Sequence, residues 1–493
     1  MTSFEPVAVL DELLGEVGLS SALTGGTVSF AGEDPIVPAV HRLGACIGLP
    51  IMAAAVGAVA FHRHRGGESQ DLALDFRQAV HGISPGAFWS PTLNGEPAPH
   101  PLVLGNPYLL MPYQTADDRW VMASGVYPHQ VANWCRFLDV PPDPGRVASV
   151  IGKREAHELE EAASAAGLPL TVVRTPAEWV AHEQGELLAS QPVIGLQRIG
   201  DAPRRDYGHA ARPFDGIRVL SFTHAVAGPA VGRTLAEQGA EVLCATRPND
   251  YEHEFIYAEA NAGSRSCYLD LGRTDGHERA AGLLAGADVI VNNHRAGKLE
   301  RLGLDPSRLA AEYPGIVYVS VSCYGPSGPW AGRGGFDMNG SAASGLMTVE
   351  GSEQQPRLPV TGLINDYITG YLGAVGATAA LVKRATEGGS WHVNVSLTRS
   401  AMWYQTLGFV DPALAGSDEQ HALRDPLAYD APSPLGDVHM LAPPVRFSRT
   451  PPAWPDPVLV PRGSGRAAWR ASLQGASTGL QGASTGQGVT LPE

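Results

Sequence analysis

Apolar positions between Gly216 and Val321 fall in short runs, each followed by a stretch with helical spacing. The runs predict strands at Ile217–Phe222, Glu241–Ala245, Asp288–Val291 and Ile316–Val321. The intervening stretches predict helices at Ala230–Gln238, Asp275–Ala285 and Pro306–Glu312. Apolar strands alternating with short helices make a parallel sheet covered on both faces, and so an α/β fold. Ligands in such sheets sit beyond the strand C-termini, which puts the chemistry in the loops there.

A longer stretch, rich in Ala and Gly, predicts a helix from Tyr367 to Val382. Small side chains let such a helix approach neighbouring backbone. Asp366 stands at its start, and Lys383 and Arg384 close its end, the polarity that the helix dipole favours. Asp366 therefore has two readings. One is an N-cap, which aspartate provides well. The other is a carboxylate nucleophile held ionised by the helix N-terminus. A similar order of apolar helix, basic end, Gly-Gly and short strand occurs earlier. It runs from Leu43 through His62-Arg63-His64-Arg65 and Gly66-Gly67 to Leu72–Phe76. This weak repeat has no Asp or Glu from Leu43 to Arg65, so it lacks the carboxylate. Leu43–Phe61 is uncharged and long enough to suggest a membrane span. Its Ala, Gly and Pro50 content argues for a buried core helix instead.

Shifts in pattern divide the chain. Residues 1–83 form an N-terminal helical segment, the degenerate copy of the later helix. Residues 84–200 read as a small α/β domain, with strands at Trp120–Ala123 and Leu170–Val173. A Pro- and Arg-rich linker leads to the large sheet domain at 214–410. Residues 411–465 are irregular and Pro-rich, with one strand at Val438–Leu441, and 466–493 form a low-complexity tail. The tail contains Gly-x-Ser-x-Gly twice, without the strand and helix that this motif needs. The match is read as false and the tail as disordered.

Composition narrows the class. With 44% apolar and 17% charged residues, the chain suits a globular protein of about two or three domains. Its net charge is -15 and its only lysines are Lys153, Lys298 and Lys383, which argues against a nucleic-acid partner. Cys46, Cys135, Cys244, Cys267 and Cys323 are scattered, with no C-x-x-C. Neither a metal site nor a disulfide framework is expected, and reduced thiols in a cytoplasm are. Acidic residues precede any basic one at the N-terminus, against a signal peptide, and no membrane partner is expected.

The expected strand ends carry the candidate chemistry. The first turn, Thr223-His224-Ala225-Val226-Ala227-Gly228-Pro229, lacks G-x-G-x-x-G and gives no dinucleotide grip. The second strand leads to Arg247, suited to a phosphate monoester such as the 2′-phosphate of NADP or the 3′-phosphate of coenzyme A. The third leads to Asn292-Asn293-His294-Arg295-Ala296-Gly297, and the fourth to a Gly-rich run that ends Gly334-Gly335-Phe336-Asp337.

Over residues 214–400 the chain resembles the class III coenzyme A transferases, the CaiB/BaiF family. The likeness is carried by Gly216-Ile-Arg-Val-Leu220, Ala227-Gly228-Pro229, Leu269-Asp270-Leu271 and Asn293-His294-Arg295-Ala296-Gly297. It continues through Leu299-Glu300-Arg301-Leu302-Gly303, Gly325-Pro326-Ser327-Gly328-Pro329, Gly335-Phe336-Asp337 and Val393-Asn394-Val395-Ser396-Leu397. The resemblance implies a Rossmann-like large domain plus a smaller α/β domain. It implies transfer of coenzyme A from an acyl-CoA to a carboxylic acid through an aspartyl-CoA intermediate, with Asp366 as the nucleophile. Nucleotide and pantetheine contacts then fall near Val226, Ala227, Arg247, Asn293 and His294. Coenzyme A is a moiety of the substrate, no cofactor is bound permanently, and no metal is needed. Backbone N–H groups of Gly334 and Gly335 are candidates for the oxyanion site. The order of parts departs from the family: residues 84–200 resemble its small domain yet precede the large one, and Val445-Arg446-Phe447-Ser448 resembles its returning segment. The homodimer that the family implies is left open by this order. Three alternatives also stay open. An α-methylacyl-CoA racemase would need a His where Phe336 stands, and an NADP-dependent dehydrogenase would need the missing glycine fingerprint. A catalytically silent CoA-binding homologue would suit the altered order.

Overall fold

The structure is a computed structural model that describes residues 4–83, 88–97 and 105–470. The paired Gly-x-Ser-x-Gly sequences of the tail lie outside the described residues. Residues 466–470 lie within them, and Trp469 is buried among Leu283, Leu284 and other apolar side chains.

The βαβ pattern of 217–321 builds a seven-stranded sheet. Its order in space is Arg265–Tyr268, Glu241–Thr246, Arg218–Phe222, Val289–Asn292, Val317–Ser322, Ser390–Ser396 and Gly195–Gly200. Every pairing is parallel except that of the last strand, which runs antiparallel to Ser390–Ser396. The parallel part of this sheet starts at Arg218–Phe222, builds outward one way, then returns to add Val289–Asn292 on the other side. The switch point lies between those two strands, where sheets of this kind bind ligands. The protein is thus α/β, a Rossmann-like large sheet with a smaller α/β unit.

The Ala- and Gly-rich stretch is a helix from Asn365 to Thr386, buried along most of its length. Missing side chains let it pack closely. A Cβ on Gly370 would lie 2.5 Å from the Ala230 Cβ and 3.0 Å from the Ala227 carbonyl oxygen. This fits it against the helix Ala227–Ala236 that follows the strand Arg218–Phe222. Its other flank meets the helix Leu43–His64. That helix is long and apolar enough to cross a membrane, yet 94% of its most apolar window is buried inside the protein.

Around the N-terminal helix, the strand Gln70–Asp75 pairs in parallel with Gly25–Ala31 and antiparallel with Arg446–Phe447. Ser390–Ser396 is flanked in the same way, by a parallel and an antiparallel strand. The segment read as irregular holds a hairpin. Gly436–Leu441 extends the expected strand and pairs with Ala428–Ser433. Pro432 masked the second strand in the sequence. It is tolerated because Ala428–Ser433 is an edge strand, where no second ladder needs its missing N–H.

The smaller unit has an antiparallel sheet of Pro112–Gln114, Trp120–Ala123 and Leu170–Val172, covered by Pro128–Leu138, Pro144–Ile151 and Ala156–Ala165. It is fixed to the large sheet by polar contacts at the latter's C-terminal edge. The Thr171 and Tyr324 hydroxyls lie 2.7 Å apart, and the Asn339 amide donates to the Met122 carbonyl at 3.1 Å.

Arg384 anchors the far end of the central helix. It is 2% exposed, pairs with Asp288 at 2.7 Å and donates to the Gly315 carbonyl at 2.6 Å. Truncating one member of a buried pair strands the other, although Arg205 also reaches Asp288. Arg384→Ala is expected to cost about 3 kcal/mol in urea unfolding. A loss below about 1 kcal/mol, the scale of a surface pair, would show that the pair anchors nothing.

Candidate functional site

The sheet places Asp366 in the first turn of the central helix, at its C-terminal edge. The helix begins one residue before it, with Ile364 at the cap position, so Asp366 is not the N-cap. Capping is supplied from elsewhere in the chain. The N–H groups of Ile364 and Asp366 both donate to Asp337 Oδ2 at 2.9 Å. Asp337 in turn opens the helix Asp337–Ala343. The Asn365 amide donates to the Asp337 carbonyl at 3.0 Å and to Ser341 Oγ at 2.8 Å, and Tyr404 donates to Asn365 Oδ1 at 2.8 Å.

This arrangement leaves the Asp366 carboxylate without a hydrogen-bond donor among the described residues. It is 9% exposed. Burial, and then the neighbouring Asp337, hold its carboxyl well above the usual aspartate range. Asp337 is raised too, by burial, but its hydrogen bonds from Asp366, Ile364 and Asn365 pull it back. The expectation that the helix N-terminus keeps Asp366 ionised is therefore corrected. Asp337 has taken the N–H groups that would have done so.

Tyr127, from the smaller unit, docks near this carboxylate pair. Its ring lies 6.2 Å from that of Phe336, and it feels the Asp366 charge. Its hydroxyl is 3.1 Å from His224 Nδ1 and donates to the Glu252 carboxylate at 3.3 Å. Glu252 also accepts the Ala225 N–H at 2.8 Å, where the backbone takes a left-handed φ of 56°. Burial raises Glu252 and lowers His224 to about 4, so the imidazole is neutral at pH 7.

The remaining sequence-selected residues divide into groups. Val226 stands at the N-terminal flank of the helix Ala227–Ala236 without a side-chain cap, and both it and Ala227 are buried. Asn293 locks this turn to the far side of the switch point. It accepts the His224 N–H at 3.1 Å and donates to the His224 carbonyl at 2.7 Å. His294 lies against His224, with ring centroids 4.9 Å apart, and burial pushes it down to about 2. Arg247 sits at the rim with its side chain 62% exposed, and is paired with Asp250 at 2.7 Å. Its charge nonetheless reaches His294 and Lys298. A Cβ on Gly335 would lie 2.5 Å from Cys323 Sγ, and one on Gly334 would lie 2.7 Å from Arg295 Cζ. The glycines thus let the backbone pass close to Cys323 and Arg295. Neither glycine N–H is hydrogen-bonded among the described residues.

Sequence reasoning named Asp337 only as part of the Gly335-Phe336-Asp337 motif, without a role, and did not name Tyr127 or Glu252. Asp337 carried a readable signal, an aspartate opening a helix just beyond a Gly-Gly turn. Tyr127 and Glu252 carried none, because only tertiary docking brings them to the site. Among the described residues no group of three or more His, Cys, Asp or Glu side chains is placed to hold a metal ion.

The fold and the site define a Rossmann-like α/β domain with a buried carboxylate pair beside its switch point. Residues 214–433 match the model of CoA-transferase family III. Among similar proteins, the acetyl-coenzyme A transferase nodX of Hypoxylon pulicicidum is 32% identical over 271 residues, 50% of this chain and 44% of that protein. The alpha subunit of succinyl-CoA–L-malate CoA-transferase from Chloroflexus aurantiacus is 31% identical over 220 residues, 42% of this chain and 51% of that protein. The chain spans about half the length of the curated relatives it matches. A crystal structure of Rv3272 from Mycobacterium tuberculosis is similar with a TM-score of 0.37 and 29% identity, covering 40% of this chain and 58% of that one.

The carboxylate pair sets a pH signature. A carboxyl raised by folding adds stability below its ordinary value of 3.8, and that stability is lost as pH rises through the raised value. Asp337→Asn keeps an oxygen to cap the helix but removes the charge. Asp366 in this variant is expected to ionise roughly one pH unit or more lower, read by 13C NMR of the aspartate carboxyl groups. Stability should also fall less steeply between pH 4 and 7. An unshifted titration would show that the two carboxyls do not interact.

Proposed function

We propose that the protein transfers coenzyme A from an acyl-CoA thioester to a carboxylic acid, with Asp366 as covalent nucleophile. The observation that carries this reading is a buried Asp366 carboxylate without a hydrogen-bond donor, at the sheet edge of a family III segment. A carboxylate that neither caps nor pairs with a cation has its lone pairs free for attack.

In this reading, an ionised Asp366 oxygen attacks the thioester carbonyl carbon. The C–S bond breaks, the coenzyme A thiolate leaves, and an acyl-aspartyl anhydride remains. The thiolate then attacks the aspartyl carbonyl, releasing the donor acid and leaving an aspartyl-CoA thioester. The acceptor carboxylate repeats the steps in reverse and departs as the new acyl-CoA. Covalent catalysis divides one difficult exchange into easier ones. Burial raises the energy of the Asp366 anion and so favours its attack. The free N–H groups of Gly334 and Gly335 are assigned to the oxyanions, the kind of preorganised donors that stabilise developing charge. Arg247 is assigned to the 3′-phosphate by exchanging Asp250 for the ligand, and the turn at Val226 and Ala227, with Asn293 and His294, to the rest of coenzyme A. Residues 84–200 are assigned as the small domain over the 214–410 domain. Phe336 carries no exchangeable proton, so a racemase lacks its second base.

Asp366→Asn preserves shape and removes the nucleophile. Exchange of labelled acid into acyl-CoA is expected to fall by several orders of magnitude, on the order of 10^3 or more, with the fold intact. A variant that exchanges label at the wild-type rate would remove Asp366 from this role.

A further inference from the structure

The surroundings of Asp366 also bear on which acyl groups reach it, an inference that rests on the transferase reading. We propose that the acyl group presented to Asp366 is uncharged and apolar, as in fatty or aromatic acyl-CoAs, and not the half-thioester of a dicarboxylic acid.

The first support is electrostatic. Only burial and Asp337 act on the Asp366 carboxyl, with no arginine, lysine or histidine among its influences. The segments outside the described residues contain no lysine or arginine either. The guanidiniums of this region are engaged elsewhere. Arg233 lies 6.0 Å from the Tyr367 ring and 3.9 Å from Glu259. Arg295 lies over Gly334 and donates to the Gly167 carbonyl at 3.2 Å. Arg462 donates to the Asp250 carbonyl at 2.8 Å, and its charge acts on Glu252.

The second support is the chemistry of the walls. Leu363 precedes Asp366 by a turn's length of chain, Phe336 adjoins Asp337, and Val126 adjoins Tyr127. All three are half-buried and pack on the apolar cluster that holds Met122 and Met338. Each of these side chains stands within three residues of Asp366, Asp337 or Tyr127, and they are assigned to the walls that an acyl chain meets beside the nucleophile. A second carboxylate on that chain would be taken from water without a counter-ion, in surroundings that already disfavour the ionised form of Asp366. Burying an unpaired charge is costly. An apolar chain gains from the same burial.

Two thioether probes test this on the full chain: S-octyl-CoA and S-(3-carboxypropyl)-CoA, neither of which can react. S-octyl-CoA is expected to bind at least about tenfold more tightly. Equal affinities, or the reverse order, would overturn the proposal. Leu363→Arg supplies the missing cation, and in the folded variant the ratio is expected to move toward the carboxyalkyl probe. An unchanged ratio in that variant would place the apolar chain away from Asp366 and overturn the proposal as well. Turnover of octanoyl-CoA and succinyl-CoA is measured in parallel. If neither reacts while the binding order holds, the transferase reading fails and the preference for an apolar chain stands.

Discussion

One carboxylate governs the site by what it takes away from another. Asp337 accepts the two N–H groups at the start of the central helix, each at 2.9 Å. Aspartate is a good cap, so this contact stabilises the helix start that every other part of the site is built on. The same contact leaves Asp366 next to a negative charge and deprives it of helix donors. Capping from a distant segment and raising a neighbour's pKa are therefore one interaction seen from two sides. Both strands of chain must be in place before Asp366 acquires its properties, so the site exists only in the folded protein.

The N-terminal half gives an internal comparison. The helix Leu43–His64 and the helix Asn365–Thr386 are both 22 residues long and pack against each other. Each is capped by an aspartate from the segment before it. Asp34 accepts the Gly44 and Ala45 N–H groups at 2.8 Å, as Asp337 does for Ile364 and Asp366. Burial raises Asp34 to about 6. Gly44 stands second in its helix, where Asp366 stands in the other. A Cβ on Gly44 would lie 2.6 Å from the Ile36 side chain, so the N-terminal copy has the cap and no room for the carboxylate.

Most of the large sheet was legible in the sequence, because parallel buried strands are continuous apolar runs and helices between them are short and periodic. The expected strand ends fall within a few residues of those observed. Asp366 was legible as a residue of interest, since a lone carboxylate before an Ala- and Gly-rich helix has few explanations. Its electrostatics were not. They depend on Asp337, which reaches the helix across the fold, while local reasoning assigned the helix dipole to Asp366 itself. Tyr127 lay beyond reach for a different reason. It belongs to the smaller unit, and no periodicity says which edge of one sheet docks on another. The hairpin strand Ala428–Ser433 was hidden by a proline that only its edge position permits.

In the proposed reaction Asp366 bonds covalently to the group it transfers. Incubating the wild-type chain with octanoyl-CoA and then hydroxylamine, followed by peptide mass spectrometry, tests that claim directly. A hydroxamate on Asp366, absent when acyl-CoA is omitted, is the expected result. A hydroxamate on Asp337, or on any other carboxylate in place of Asp366, would contradict it.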